Sequence, residues 1–129
     1  AKAITDVPGS SACFGYGIVS YSNGAKESIL GVDNPTLEDN GSVSEPVVKE
    51  MAEGALNLSG ADVAVAVSGV AGPDGGTDEK PIGTVWFAWS VRDGANHRID
   101  TDRKHFDGDR EAIRELTVAY ALQGVLERI

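Results

Sequence analysis

The sequence predicts an α/β fold with helices on both sides of a sheet, and three observations point there. Two runs, residues 62–69 (DVAVAVSG) and 83–91 (GTVWFAWSV), are almost unbroken apolar stretches, the pattern of buried strands. Between residues 44 and 60, Val47, Val48, Met51, Ala52, Ala55, Leu56 and Leu58 recur at helical spacing, a stripe that needs a sheet to pack on. Hydrophobic content of 41% with sixteen glycines suits a loop-rich single domain over residues 1–129 better than a disordered chain or a coiled coil.

The elements follow in order. Residues 1–14 open with a short apolar piece that reads as the end of an element. Residues 15–22 (GYGIVSYS), with Ile18 and Val19 at their centre, predict a strand ended by the turn residues Ser22, Asn23 and Gly24. A short helix over 25–30 is closed by Gly31. Asn34 before Pro35 caps a brief helix to about Asp39, stopped at Asn40 and Gly41. Ser44 and Pro46 open the long helix and Gly60 ends it.

Residues 62–69 then predict a central strand covered on both faces. A long loop over 70–82 leads to the strand at 83–91. The RDGAN stretch (92–96) turns the chain into a hairpin whose second strand, 97–106, alternates as an edge strand with one wet face. Asp109 caps a last helix to about Arg128, with Ile113, Leu116, Tyr120 and either Val125 or Leu126 toward the core.

Charge and composition exclude several functions. The net charge is −9 and the basic residues are scattered apart from Arg103 and Lys104, so no basic face exists for nucleic acid. No run of 18 apolar residues predicts a membrane span. A single cysteine, Cys13, cannot form an internal disulfide, which makes the cytoplasm the default location. His97 and His105 have no carboxylate or cysteine at metal-ligand spacing, so neither a metal nor another cofactor is expected.

Three constellations could carry chemistry. The loop after the 62–69 strand leaves its carboxyl end, where open α/β sheets place ligands. Its glycines Gly69, Gly72, Gly75 and Gly76 free backbone N–H groups to meet an anion, and Ser68 and Thr77 add hydroxyls. The same glycines would equally serve a long crossover that only needs to turn. Arg103 and Arg110 lie near the amino end of the last helix, where a phosphate could sit, although Asp109 is most simply a cap and Arg110 a solvated first-turn residue.

The third is Tyr21 with Lys26 in YSNGAK (21–26). An amine in the first turn of a helix meets the positive end of the helix dipole, and burial lowers its pKa further. A neutral lysine can serve as general base toward a serine, with a tyrosine orienting or relaying the proton. Ser10, Ser11, Ser22 and Ser44 are the serines to hand, and none has a nucleophile-elbow context.

Taken together, ITDVPGSSACF, YSNGAK, GSVSEPVVKEMAEGAL, ADVAVAVSGVAGPDGGTDEKPIGTVWFAW and FDGDREAIR resemble the CinA carboxy-terminal domain family, in order from about residue 3 to the last helix. The resemblance implies a three-layer α/β/α sandwich on a mixed sheet. It implies metal-free hydrolysis of the carboxamide of nicotinamide mononucleotide to nicotinate mononucleotide and ammonia, a step in pyridine-nucleotide salvage. It also implies Lys26 as base, Tyr21 as relay, and the 68–77 loop beside the site.

The family's serine belongs to an ESCTGG-type motif on a first strand, and no stretch of this sequence matches it. The resemblance therefore implies a chain lacking that amino-terminal segment and a central strand. The apolar edges so left are costly unless another chain or a rearrangement fills them, and a homo-oligomer is expected. The alternative reading is an inactive relative that binds a small-molecule nucleotide or dimerises without turnover.

Overall fold

The computed structural model describes residues 1–129. Five helices and three strands follow one another as α1 (Lys2–Thr5), α2 (Asn23–Leu30), α3 (Asn34–Asn40), α4 (Glu45–Ser59), β1 (Val63–Gly69), β2 (Thr84–Asp93), β3 (Asn96–His105) and α5 (Arg110–Leu126), with a 3-10 turn at Ser10–Ala12. The sheet order is β1-β2-β3.

Alternation along β2 sorts its side chains between two layers. Trp86 and Ala88 point to the α4 side, where Ala88 and Ala66 join Leu30, Val32, Leu37, Val47, Val48, Met51 and Ala52 in one core cluster. Val85, Phe87 and Trp89 point the other way and meet Ile113 and Ala121 of α5. The predicted three layers are therefore present, with α2, α3 and α4 on one face and α5 on the other. Phe87 and Trp89 stack at 5.7 Å between ring centroids, and Tyr120 meets both edge-on. Trp89 donates from Nε1 to the Ala121 carbonyl at 3.0 Å. The Tyr120 hydroxyl donates to Asp102 of β3, and this bond is the main reason its pKa rises to about 12.

The sheet corrects three expectations. Both strand pairings are antiparallel, so the three strands form no mixed sheet. The strand at 62–69 is an edge strand rather than the central one: β1 pairs only with β2, and its Val67 is 40% exposed. Residues 15–22 form no strand. Their β-prone side chains favour extended backbone, but a strand needs a ladder partner, and neither sheet edge lies beside them as one. Only Ile18 packs on the core, while Val19 is 83% exposed.

The helices keep their expected order with local changes. Asp33, not Asn34, stands at the cap position of α3. Ser44 stands at that of α4 but donates its hydroxyl to the Gly41 carbonyl instead of capping. Asp109 caps α5 through the Ala112 N–H at 2.9 Å, as its position predicts. Leu58, Leu116 and Leu126 are exposed rather than core: Leu58 and Leu126 fall in the last turns of α4 and α5, and Leu116 lies toward solvent while Ile113 one turn earlier is buried. Val125 makes the packing contact that the sequence left open between it and Leu126. The predicted hairpin forms, with Gly94 at φ 62° in its two-residue turn. No helix is long and apolar enough to cross a membrane.

Two positions test this packing. A Cβ on Gly124 would lie 2.3 Å from the Trp89 ring, so Gly124→Ala should lower unfolding stability by about 1–3 kcal/mol, read as a lower urea midpoint at unchanged slope. Ser90 is fully buried in β2 and its hydroxyl has no hydrogen-bond partner. Ser90→Ala should therefore leave the midpoint unchanged or raise it, by up to about 1–3 kcal/mol.

Candidate active site

The candidate residues lie on two short segments and one long loop, and no hydrogen bond joins Lys26 or Tyr21 to that loop. Ser22 stands at the amino end of α2 in extended conformation and accepts from the Ala25 N–H at 3.0 Å, which fixes the turn from the 15–22 segment into the helix. One residue later Lys26 folds back over that turn. Its Nζ donates to the Ser20 carbonyl at 2.8 Å and to the Tyr21 carbonyl at 3.3 Å.

Lys26 is 5% exposed and takes part in none of the chain's ion pairs. Burial without a compensating carboxylate disfavours the ammonium form and pulls the pKa below 10.5. Backbone carbonyls hold the amine in place without contributing a full negative charge. The result is a fixed amine that releases a proton more readily than a surface lysine. Tyr21 is brought to Lys26 by its backbone: the carbonyl makes the contact, while the side chain is 83% exposed.

The 68–77 glycines meet their own loop rather than open space. A Cβ on Gly72 would approach Ile82 Cγ2 at 2.8 Å, one on Gly76 the Ile82 backbone nitrogen at 2.8 Å, and one on Gly69 the Val85 side chain at 2.8 Å. These three are needed because the loop folds back on residues 82–85. Gly75, at φ 94° with no contact closer than 3.9 Å, is needed for its turn. Thr77 closes a tight turn, accepting from the Lys80 N–H at 3.0 Å, and is exposed. Ser68 is half-buried and faces Trp86 across the strand pair.

The two arginines are held by this loop. Arg110 Nη1 donates to the Gly72 carbonyl at 2.8 Å and Arg103 Nη2 to the Glu79 carbonyl at 3.2 Å. Arg103 also borders a cleft of about 300 Å³ with Trp86, Lys80, Glu79 and the start of α4, its cap residue Ser44 with Glu45 and Pro46. Lys80 went unread in the sequence. It follows two acidic residues and precedes a proline, a context that reads as solvated loop. No group of three or more His, Cys, Asp or Glu side chains is arranged to hold a metal ion.

The lowered Lys26 pKa has a stability signature. The unfolded chain binds more protons than the folded one between the folded pKa and 10.5, so the cost of burying the ammonium is full at low pH and fades across that window. The thermal midpoint of the native chain minus that of Lys26→Met should therefore shift in favour of the native chain as pH rises from neutral toward 10.5. A difference that stays flat over that range would mean an ordinary amine.

Comparison with known proteins agrees with this architecture. The CinA C-terminal domain profile matches residues 1–129. The chain is similar to the nicotinamide-nucleotide amidohydrolase PncC of Enterobacter agglomerans, 57% identical over 126 residues, covering 98% of this chain and 75% of the relative. It is 56% identical to the protein of the same name from Escherichia coli K12 over 123 residues, covering 95% and 73%. The competence damage-inducible protein A of Klebsiella pneumoniae superposes with a TM-score of 0.89 at 44% identity, covering 97% of this chain and 75% of that one. The competence/damage inducible protein CihA of Agrobacterium tumefaciens gives 0.89 at 43% identity, covering 97% and 74%. The chain belongs to the CinA C-terminal domain family.

Proposed function

We propose that this chain carries the base and substrate wall of an amidohydrolase that deamidates nicotinamide mononucleotide. The observation that carries the reading is Lys26: a buried amine, free of ion pairs, with a pKa lowered by burial, in a chain 57% identical to a nicotinamide-nucleotide amidohydrolase. A surface lysine is almost wholly protonated, whereas desolvation enlarges the neutral fraction that can accept a proton.

In this mechanism neutral Lys26 takes the proton of a serine hydroxyl as the oxygen attacks the carboxamide carbon. The tetrahedral intermediate collapses when the lysinium returns that proton to the amide nitrogen, the C–N bond breaks and ammonia leaves. Water, deprotonated in turn by Lys26, attacks the acyl-serine ester; the lysinium returns that proton to the serine oxygen as the acyl C–O bond breaks and nicotinate mononucleotide leaves. The serine is that of the family's ESCTGG-type motif, which no stretch of residues 1–129 matches. Tyr21 relays or orients the proton. Ser68, Gly69, Gly72, Gly75, Gly76 and Thr77 form the substrate-side wall, and Arg103 and Arg110 supply positive charge toward the phosphate.

The test uses protein expressed from the complete reading frame. Incubation with nicotinamide mononucleotide should release equimolar ammonia and nicotinate mononucleotide, and Lys26→Ala should lower kcat by roughly 10²- to 10⁴-fold, the usual worth of a positioned general base. No ammonia from the unaltered protein would sink the reading. Heat of binding in calorimetry without ammonia would indicate a binding module instead.

A further inference from the structure

Three of the chain's 11 basic side chains are directed at main-chain carbonyls in or beside one loop, although the chain has 20 acidic residues to offer. Arg110 reaches in from α5 to Gly72 and Arg103 from β3 to Glu79. Lys80 reaches out from the loop itself, donating from Nζ to the Asn40 carbonyl at 2.7 Å. None of the three forms an ion pair. Cations thus fasten the loop from Val70 to Gly83 to three separate elements, beside the His105 Nε2 contact to the Ile82 carbonyl at 3.0 Å and the Phe106 N–H bond to the Gly83 carbonyl at 2.9 Å.

Of these links the Lys80 contact spans the greatest gap. Asn40 is the last residue of α3, where unpaired carbonyls and the negative end of the helix dipole favour a cation. Gly41 follows with φ 76°, a conformation that favours glycine, and a Cβ there would crowd Lys80 Nζ at 3.0 Å. The Lys80 backbone is itself fixed by the Thr77 turn, in which the Thr77 N–H donates to the Lys80 carbonyl and the Lys80 N–H donates to Thr77 Oγ1, both at 3.0 Å. A rigid turn and a single ammonium therefore bridge the glycine loop to the far wall of the cleft that Asn40, Lys80 and Arg103 share.

We infer that Lys80 is a positioning residue: it holds the 70–83 loop against the end of α3 and so sets the shape of the substrate wall. The inference rests on the loop being that wall. Because the bond is exposed, its loss should loosen the loop locally without unfolding the domain.

Hydrogen exchange on full-length protein tests the clamp directly. In Lys80→Met, amides of residues 70–83 should exchange roughly 3- to 10-fold faster, as expected for a lost charge-assisted bond, while α5 is unchanged and Lys80→Arg restores protection. Under the proposed reaction, KM for nicotinamide mononucleotide should rise by a similar factor with kcat unchanged, because Lys80 touches no reacting atom. Unchanged loop exchange in Lys80→Met would overturn the clamp. Faster exchange with unchanged KM would overturn its role in positioning substrate. Absence of activity in the unaltered protein would overturn the proposed reaction alone and leave loop exchange to decide the clamp.

Discussion

The structure depends on β2 being covered on both faces. Phe87 and Ala88 are fully buried and adjacent in sequence, yet they belong to different cores, one under α5 and one under α4. Each buried residue withdraws apolar area from water at roughly 25 cal/mol per Å², so a strand with two dry faces anchors two layers at once. β1 and β3 gain their positions by pairing with it, and the long loop between β1 and β2 starts and ends at the same end of these two paired strands. That shared end is why a loop of 14 residues can be fastened to α5, β3 and α3 together.

Electrostatics in this molecule work through desolvation and backbone dipoles more than through ion pairs. Exposed pairs such as Lys2 with Asp6 contribute little. Arg128 is the best placed cation, 2.8 Å from Asp100, stacked 4.2 Å over Trp89 and donating to the Gly124 carbonyl, so it closes the end of α5 on the sheet. The cations of the proposed site are different: Lys26, Lys80, Arg103 and Arg110 all rest on carbonyl oxygens. A carbonyl orients a cation without neutralising it, which keeps charge or basicity available to a ligand.

Much of the fold was legible in the residues. The stripe from Val47 to Leu56 and its closing Gly60 located α4, Asp93 and Gly94 located the hairpin, and Asp109 located the start of α5. What the residues could not rank was the sheet order. Residues 62–69 and 83–91 are equally apolar, and which is central depends on what lies beside each, a property of the whole chain. Residues 15–22 show the same limit: propensity makes backbone extended, but pairing needs a neighbour. Close approaches were equally hidden. Gly54, whose Cβ would fall 1.9 Å from the Leu30 carbonyl oxygen, looks in sequence like a weak point of a helix, and it is where α2 crosses α4. At the site, the Tyr21 and Lys26 spacing was visible, but burial of one and exposure of the other was not, nor were the carbonyl partners of the arginines.

The two tryptophans lie three residues apart in β2, and that odd spacing puts them on opposite faces of the sheet. Trp89 is sealed between α5 and Arg128, while Trp86 borders the cleft. One indole therefore lives in a fixed apolar medium and the other beside whatever enters the cleft. The protein carries its own pair of optical probes, an internal reference and a sensor, separated by a single layer of backbone.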